Sequence, residues 1–352
     1  MTTQEFLGKQ NFTIHTRTVS ESCPSNIALI KYWGKYDNQV PANPSISYTL
    51  NHCKTNTSME FLADETFSVQ TFLSGNEEVK FAEKIEKYFK KIEEYLPWIL
   101  KGKYIIRTEN TFPHSSGIAS SASGFGAIAQ CLMKLDTEFS GNQSEDESLR
   151  KASFLARLGS GSACRSLYNG LVVWGTSDEV EGSSDLFAVK YPDAEIHDVF
   201  KNFNDWVLLI HEGQKSVSST VGHGLMNTNP YAERRFQEAR DNFVPMKEIL
   251  KSGDMERFIT LVEHEALTLH AMMMMSDPAF ILMKTGTLEV INKIWDFRKE
   301  TGLPLFFTLD AGANVHLLFP NSGSEDTIKA FIETELLQHT QKNGVVKDVM
   351  KF

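Results

Sequence analysis

Four short stretches of this chain hold residues able to do chemistry on an anion. In the first, TFPHSSGIASSASGFGAIAQCLMKL from Thr111 to Leu135, Gly117, Gly124 and Gly126 alternate with Ala119, Ser120, Ser121, Ala122 and Ser123. It then runs into the apolar Ile128, Leu132 and Leu135. A loop of small residues opening a helix lets a phosphate approach unpaired N–H groups and the positive end of the helix dipole. The same composition also suits a helix packed tightly on a neighbouring backbone, and this stretch alone does not choose between the two. The second stretch puts two cations and two aromatics close together as Lys31, Tyr32, Trp33 and Lys35. Solvated lysines beside a core cap would look the same. In the third, Ser160 and Ser162 offer hydroxyls beside Arg165, whose planar guanidinium can grip a carboxylate or phosphate with two parallel hydrogen bonds. The fourth is Asp310, set between two apolar runs, where an ionised carboxylate is costly unless paired or functional. A turn-forming Asp before Gly312 is the plainer reading. Taken together, the four describe an anionic-substrate pocket next to a nucleotide loop.

Other chemistries find no support. Gly34-Lys35 and Gly102-Lys103 are each followed by Tyr, so no Walker A loop is present. His264-Glu265-Ala266-Leu267-Thr268 lacks the second histidine of a zinc protease and reads as ordinary helix surface, with His270 on another face. Gly159-Ser160-Gly161-Ser162-Ala163 misses the last glycine of a nucleophile elbow. A net charge of -10 argues against a nucleic-acid partner, because a phosphate backbone needs a basic footprint. The four cysteines, Cys23, Cys53, Cys131 and Cys164, are widely spaced and fit reduced core thiols. The opening residues contain no apolar run of signal-peptide length, and no stretch reads as a membrane span. A cytoplasmic protein without a membrane partner is expected.

The elements that must hold these residues follow from periodicity. With 352 residues, the chain exceeds the usual limit of a single core, so two domains are expected. Alternating residues predict strands over 14–19, 46–50, 58–62 and 67–72, with 25–45 as a turn-rich connection. Phe81, Ile85, Tyr88, Phe89, Ile92 and Leu96 form a core stripe on a helix over 78–96. A strand over 104–108 leads into the Gly/Ser loop, a polar stretch covers 140–148, and a helix covers 149–158. The charged, proline-containing segment 190–205 marks the domain boundary. Beyond it, a strand is expected over 206–211 and helices over 230–250, 255–275 and 287–300. Two strands around Asp310 and a helix over 326–339 complete the pattern. Met272 to Met275 suit a core or an adaptable pocket wall.

At this point the stretches form a set. PHSSGIASSASGFGA resembles the phosphate-binding motif of the GHMP kinase superfamily. NIALIKYWGK, GSGSACRSLYNG and TLDAGANVHLL resemble the signature segments of the diphosphomevalonate decarboxylase family, in that family's order and over nearly the whole chain. Pro113-His114-Ser115-Ser116 and Asn43-Pro44-Ser45 depart from the usual pattern. The resemblance implies an α+β, two-domain GHMP kinase fold. A domain like ribosomal protein S5 domain 2 would occupy residues 1–195 and a ferredoxin-like domain residues 196–352, with the site between them. It also implies ATP-dependent conversion of mevalonate 5-diphosphate to isopentenyl diphosphate, with Mg²⁺ and in a homodimer. Asp310, Lys35 and Arg165 would be catalytic. Asn26, Lys31, Tyr32, Trp33, Ser160, Ser162 and Arg165 would bind substrate. Gly117, Ala119, Ser120 and Ser121 would take the ATP phosphates, with Ser121 a ligand to Mg²⁺. The alternatives are a relative acting on mevalonate 5-phosphate or mevalonate, a 3-kinase that does not decarboxylate, and a nucleotide sensor without turnover.

Overall fold

The computed structural model describes residues 2–113, 118–211, 213 and 217–351. Two long antiparallel strands open the fold: β1 (Arg17–Ile30) and β2 (Ser45–Ala63). Expected as a connection from residue 25 onward, the chain instead stays in β1 as far as Ile30. Register shifts at Pro24/Asn26 and Ala28/Ile30 absorb the proline and the polar Asn26 that look like turn formers in sequence. Next come β3 (Ser68–Leu73), the short β4 (Asn76–Glu77), helix α1 (Val79–Lys91) and β5 (Gly102–Asn110), which pairs parallel to β3. The helices α2 (Ser120–Ser140) and α3 (Glu145–Gly159) follow. The polar run before residue 149 is not all loop. Ser144 and Glu147 form a capping box that starts α3 four residues before the first residue expected to be helical. Strands β6 (Leu171–Trp174) and β7 (Ala188–Lys190) complete a mixed sheet of order β4-β3-β5-β2-β6-β7, with β1 paired to β2.

The α1 stripe is buried as the spacing predicts: Ile85, Tyr88 and Phe89 pack with Phe61, Tyr104, Phe125, Leu132 and Phe154 in one core between this sheet and α1 to α3.

A second sheet begins at β8 (Asn202–Leu208). It is followed by five helices, α4 (Ser219–Leu225), α5 (Ala232–Asp241), α6 (Phe243–Ser252), α7 (Met255–Met274) and α8 (Thr285–Thr301). The single helix expected over 230–250 is two. Pro245 lacks an N–H and its ring would clash with the carbonyl four residues back, so the chain breaks at Asn242. Strands β9 (Phe306–Leu309) and β10 (Val315–Pro320), helix α9 (Glu325–Phe331) and β11 (Val345–Lys351) end the fold. The order β11-β8-β10-β9, antiparallel throughout, is the ferredoxin-like arrangement.

Period-two alternation gives this sheet two buried faces. Trp206, Leu208, Phe307 and Leu317 face α8 and α9. Phe203, Val207, Phe306 and Leu318 join Ile27, Ile46, Tyr48 and Leu171 of the first sheet in a shared core. Asp348 of β11 reaches across the same seam and accepts from the backbone N–H groups of Asn51, His52 and Cys53, midway along β2. The two sheets are thereby joined by apolar packing and by a charged clasp.

Candidate active site

A cavity of about 580 Å³ opens where the end of β1, the start of α2, the turn after α3, helix α4 and the β9–β10 turn converge. Asn26, Lys31, Tyr32, Trp33, Lys35, Ala119, Ser120, Ser121, Ser160, Ser162, Arg165 and Asp310 all line it. Residues picked from stretches far apart in sequence are thus brought to one place. Gly117 lies outside the described residues.

Arg165 is buried and fixed on three sides. Its Nε donates to Asn26 Oδ1 (3.3 Å), its Nη1 donates to Ser45 Oγ (2.6 Å), and the guanidinium lies 5.7 Å from the Trp174 ring centroid. Asn26 is held in turn, with Nδ2 donating to the Ser162 carbonyl (3.2 Å) and to Ser166 Oγ (2.8 Å). Gly161 cannot carry a side chain. A Cβ there would sit 2.8 Å from both the Trp174 ring and the Tyr32 hydroxyl. Among the described residues that buried hydroxyl has no hydrogen-bond partner, and it stands at the cavity wall as a polar atom able to meet a ligand. Burial pushes the Tyr32 pKa up, so the hydroxyl stays neutral and can donate.

Lys31 is less accessible than its sequence context suggests. It is 1% exposed, its Nζ donates to the Ala28 carbonyl (2.6 Å), and its N–H donates to Glu265 Oε2 (2.9 Å). Burial lowers its pKa to about 8 against the opposing pull of Asp310 and Glu265. Glu265 is correspondingly not helix surface. It is fully buried and also accepts from Arg235 and from Asn242 Nδ2.

Lys35 is looser. It is half-buried, and Nζ donates to Gln39 Oε1 (2.8 Å). Its pKa is lowered by burial and then by the like charge of Lys84. Asn38 and Gln39 both take positive φ, 56° and 60°, which is strained for residues with a Cβ. Buried Arg157 donates to the Asn38 carbonyl and holds that turn in place.

Asp310 sits half-buried in the turn between β9 and β10. Its carbonyl is hydrogen-bonded to His270 Nε2 (3.1 Å) and accepts from the Gly312 N–H (2.7 Å). The turn expected of Gly312 is therefore real, and it presents the carboxylate-bearing residue to the cavity. Charge on Asp310 is felt by Lys31, Arg165 and His223.

At the opposite wall, α2 begins at Ser120 after Ala119 in the left-handed region (φ 33°). Ser121 lies 3.4 Å from Ser160, Oγ to Oγ. This 21-residue helix carries the small residues and unpaired N–H groups that suit a phosphate. Among the described residues, no group of three His, Cys, Asp or Glu side chains could hold a metal ion. The serine hydroxyls still fit a Mg²⁺ that takes most of its ligands from phosphate and water, the usual arrangement for that ion.

Sequence reasoning missed several lining residues, Lys84, Gln39, Ser219 and His223 among them. Lys84 is on the polar side of α1, where it passes for a solvated charge, with its ammonium 4.9 Å from the Phe125 ring centroid. Gln39 comes from an unremarkable turn, and Ser219 and His223 come from a short helix without apolar periodicity.

Known proteins resemble this chain in both sequence and fold. Residues 23–187 match the family model for the diphosphomevalonate decarboxylase-like N-terminal domain. Residues 206–350 match that for the mevalonate 5-diphosphate decarboxylase C-terminal domain. The diphosphomevalonate decarboxylase of Schizosaccharomyces pombe is 32% identical over 325 residues, covering 86% of this chain and 79% of that protein. The mevalonate diphosphate decarboxylase of Staphylococcus aureus superposes with a TM-score of 0.80 at 29% identity, over 95% of this chain and 96% of that one. A solved complex of MDDEF with MVAPP, AMPPCP and magnesium also gives a TM-score of 0.80, at 26% identity over 96% and 97% of the two chains. Both halves of the molecule and its whole fold lead to the same conclusion: the chain belongs to the diphosphomevalonate decarboxylase family.

Proposed function

We infer that this protein converts mevalonate 5-diphosphate and ATP to isopentenyl diphosphate, ADP, phosphate and carbon dioxide. The observation that carries the reading is the meeting of Asp310, from the second sheet, with Lys35, Arg165 and the serine-rich start of α2 in one cavity. A tertiary hydroxyl is a poor leaving group, so it is first phosphorylated. Its oxygen bonds to the terminal phosphorus of ATP as the bond to ADP breaks. Asp310 orients that hydroxyl and takes its proton late, as the oxygen–phosphorus bond forms, because a carboxylate is too weak a base to deprotonate a free alcohol outright. Phosphate then leaves from C3 while the bond to the carboxylate breaks, releasing carbon dioxide and forming the double bond. Once that proton has passed to solvent, the restored carboxylate of Asp310 stabilises the positive charge developing at C3.

Lys35 offsets charge on the phosphoryl group in transfer. Arg165, with Asn26 and Ser162, holds the carboxylate that is to be lost. Lys31, Tyr32 and Ser160 meet the diphosphate, with Trp33 as an apolar wall. Gly117, Ala119, Ser120 and Ser121 receive the ATP phosphates. When bound, Mg²⁺ supplies charge neutralisation of those phosphates, with Ser121 as its protein ligand. Positioning and charge compensation account for most of the catalysis. Residues 1–195 and 196–352 act as the two domains that border this site, and the enzyme is assigned to the cytoplasm as a homodimer. Among the described residues, no helix is long and apolar enough to cross a membrane.

The test is ADP release with mevalonate, its 5-phosphate and its 5-diphosphate, with carbon dioxide followed in parallel. Stoichiometric carbon dioxide and ADP with the 5-diphosphate alone support the reading. ADP without carbon dioxide would make the protein a 3-kinase, and turnover only of a less phosphorylated substrate would reassign it. Sedimentation at micromolar concentration decides the homodimer.

A further inference from the structure

His223 stands in none of the motifs that drew attention to the cavity, yet it lines the wall beside Lys35. Its ring is buried, 7% exposed, and lies between Tyr32 and Trp33, with centroids 4.3 Å and 4.5 Å away. The Gly34 N–H donates to its Nδ1 at 2.9 Å. Only glycine fits at that donor. Gly34 has φ +104°, and the space a Cβ would need is filled by the Phe236 ring at 2.5 Å. A ring nitrogen that accepts carries no proton, so the neutral imidazole must bear its proton on Nε2.

Burial and the neighbouring charge of Lys35 push the His223 pKa down to about 3, so the ring is neutral at neutral pH. It is therefore no proton shuttle. What remains is a neutral, rigidly held N–H at the edge of a cavity built for anions.

We propose that His223 is a specificity-determining donor, whose Nε2–H meets an anionic oxygen of the bound substrate while its Nδ1 fixes the backbone that carries Lys35. This rests on the function proposed above and deepens it. A neutral donor favours an anionic oxygen without adding to the positive charge already crowded around Lys35. An analogue lacking that oxygen would leave the donor unpaired in a buried wall, which is how such groups discriminate.

The test begins with the wild-type protein labelled with ¹⁵N-histidine. The two-bond proton–nitrogen pattern of His223 should show a proton on Nε2 and none on Nδ1. The Nε2–H signal should move on saturation with mevalonate 5-diphosphate. Inorganic diphosphate and mevalonate, added separately, assign the oxygen to a phosphate or to the carboxylate. A proton on Nδ1, or a signal unmoved by all three ligands, overturns the proposal. In parallel, His223→Phe keeps an aromatic ring against Tyr32 and Trp33 and loses both nitrogens. It should raise KM for mevalonate 5-diphosphate by about tenfold or more and leave KM for ATP unchanged, with partial recovery in His223→Gln. A folded His223→Phe protein with unaltered KM for mevalonate 5-diphosphate also overturns it. Absence of any turnover by the wild type would instead count against the function proposed above, and the tautomer and the response to inorganic diphosphate would still decide the role of His223.

Discussion

Two cations face the same cavity and are held in opposite ways. Arg165 is buried, hydrogen-bonded to Asn26 and Ser45, and backed by Trp174. Lys35 is half-buried, and its hydrogen-bond partner, Gln39, belongs to a strained surface turn. A group that must keep a carboxylate aligned until it is lost benefits from having its conformational freedom removed before the substrate arrives. Charge that must follow a phosphoryl group from one oxygen to another benefits from some play. The contrast divides the site into a fixed wall for positioning and a compliant wall for charge compensation.

The largest effect is expected where both walls act through one carboxylate. Asp310→Asn should lower kcat by about a thousandfold or more with ATP binding retained, measured by single-turnover kinetics and calorimetry. Retention of more than a few per cent of the wild-type rate would remove Asp310 from the reaction. Next comes the fixed wall. Arg165→Lys keeps the charge but not the planar fork, so kcat/KM for mevalonate 5-diphosphate should fall by about a hundredfold with little change in KM for ATP. If Arg165→Lys behaves as wild type, the guanidinium fork does not fix the carboxylate.

The compliant wall should show itself in pH. A lysine helps only while protonated, and burial lowers Lys31 to about 8 and lowers Lys35 in the same direction. kcat/KM should therefore decline as pH rises through about 8. Lys84→Met removes a like charge that lowers the Lys35 pKa, so the part of the decline that belongs to Lys35 should move to higher pH. A shift to lower pH would contradict the assignment. The smallest effect is expected for Gln39→Leu, a few-fold loss in kcat, since the pair it breaks is partly exposed.

Legibility in the sequence follows the same division. Arg165, Ser160 and Ser162 stand in one compact string, Asp310 breaks an apolar run, and the small residues of α2 form a pattern, so each is visible locally. The strands and helices with clean periodicity, such as α1 and β9–β10, are legible for the same reason. Lys84, Gln39 and His223 are not, because what distinguishes them is a neighbour brought from another part of the chain. Lys84 has the sequence context of a solvated helix face, and only the Gly/Ser helix packed beside it makes that face a wall. Glu265 is the converse, a residue that reads as surface and is buried by Arg235 and the end of β1. The topology of the second sheet is likewise hidden, since its first and last strands are separated by six helices and a hairpin and meet only through β8–β11 pairing.

The clasp between Asp348 and the middle of β2 bears on how substrates enter. Three N–H groups of one strand converge on a carboxylate from the other sheet, at a point where apolar side chains of both sheets also interlock. A rigid swing of one half against the other would have to strip that anion of its donors away from water, a steep cost for a motion needed at every turnover. Access is better supplied at the far rim, where Ser218, Ser219 and Thr220 are exposed at the beginning of α4. The molecule would then breathe at its lip while its spine stays shut.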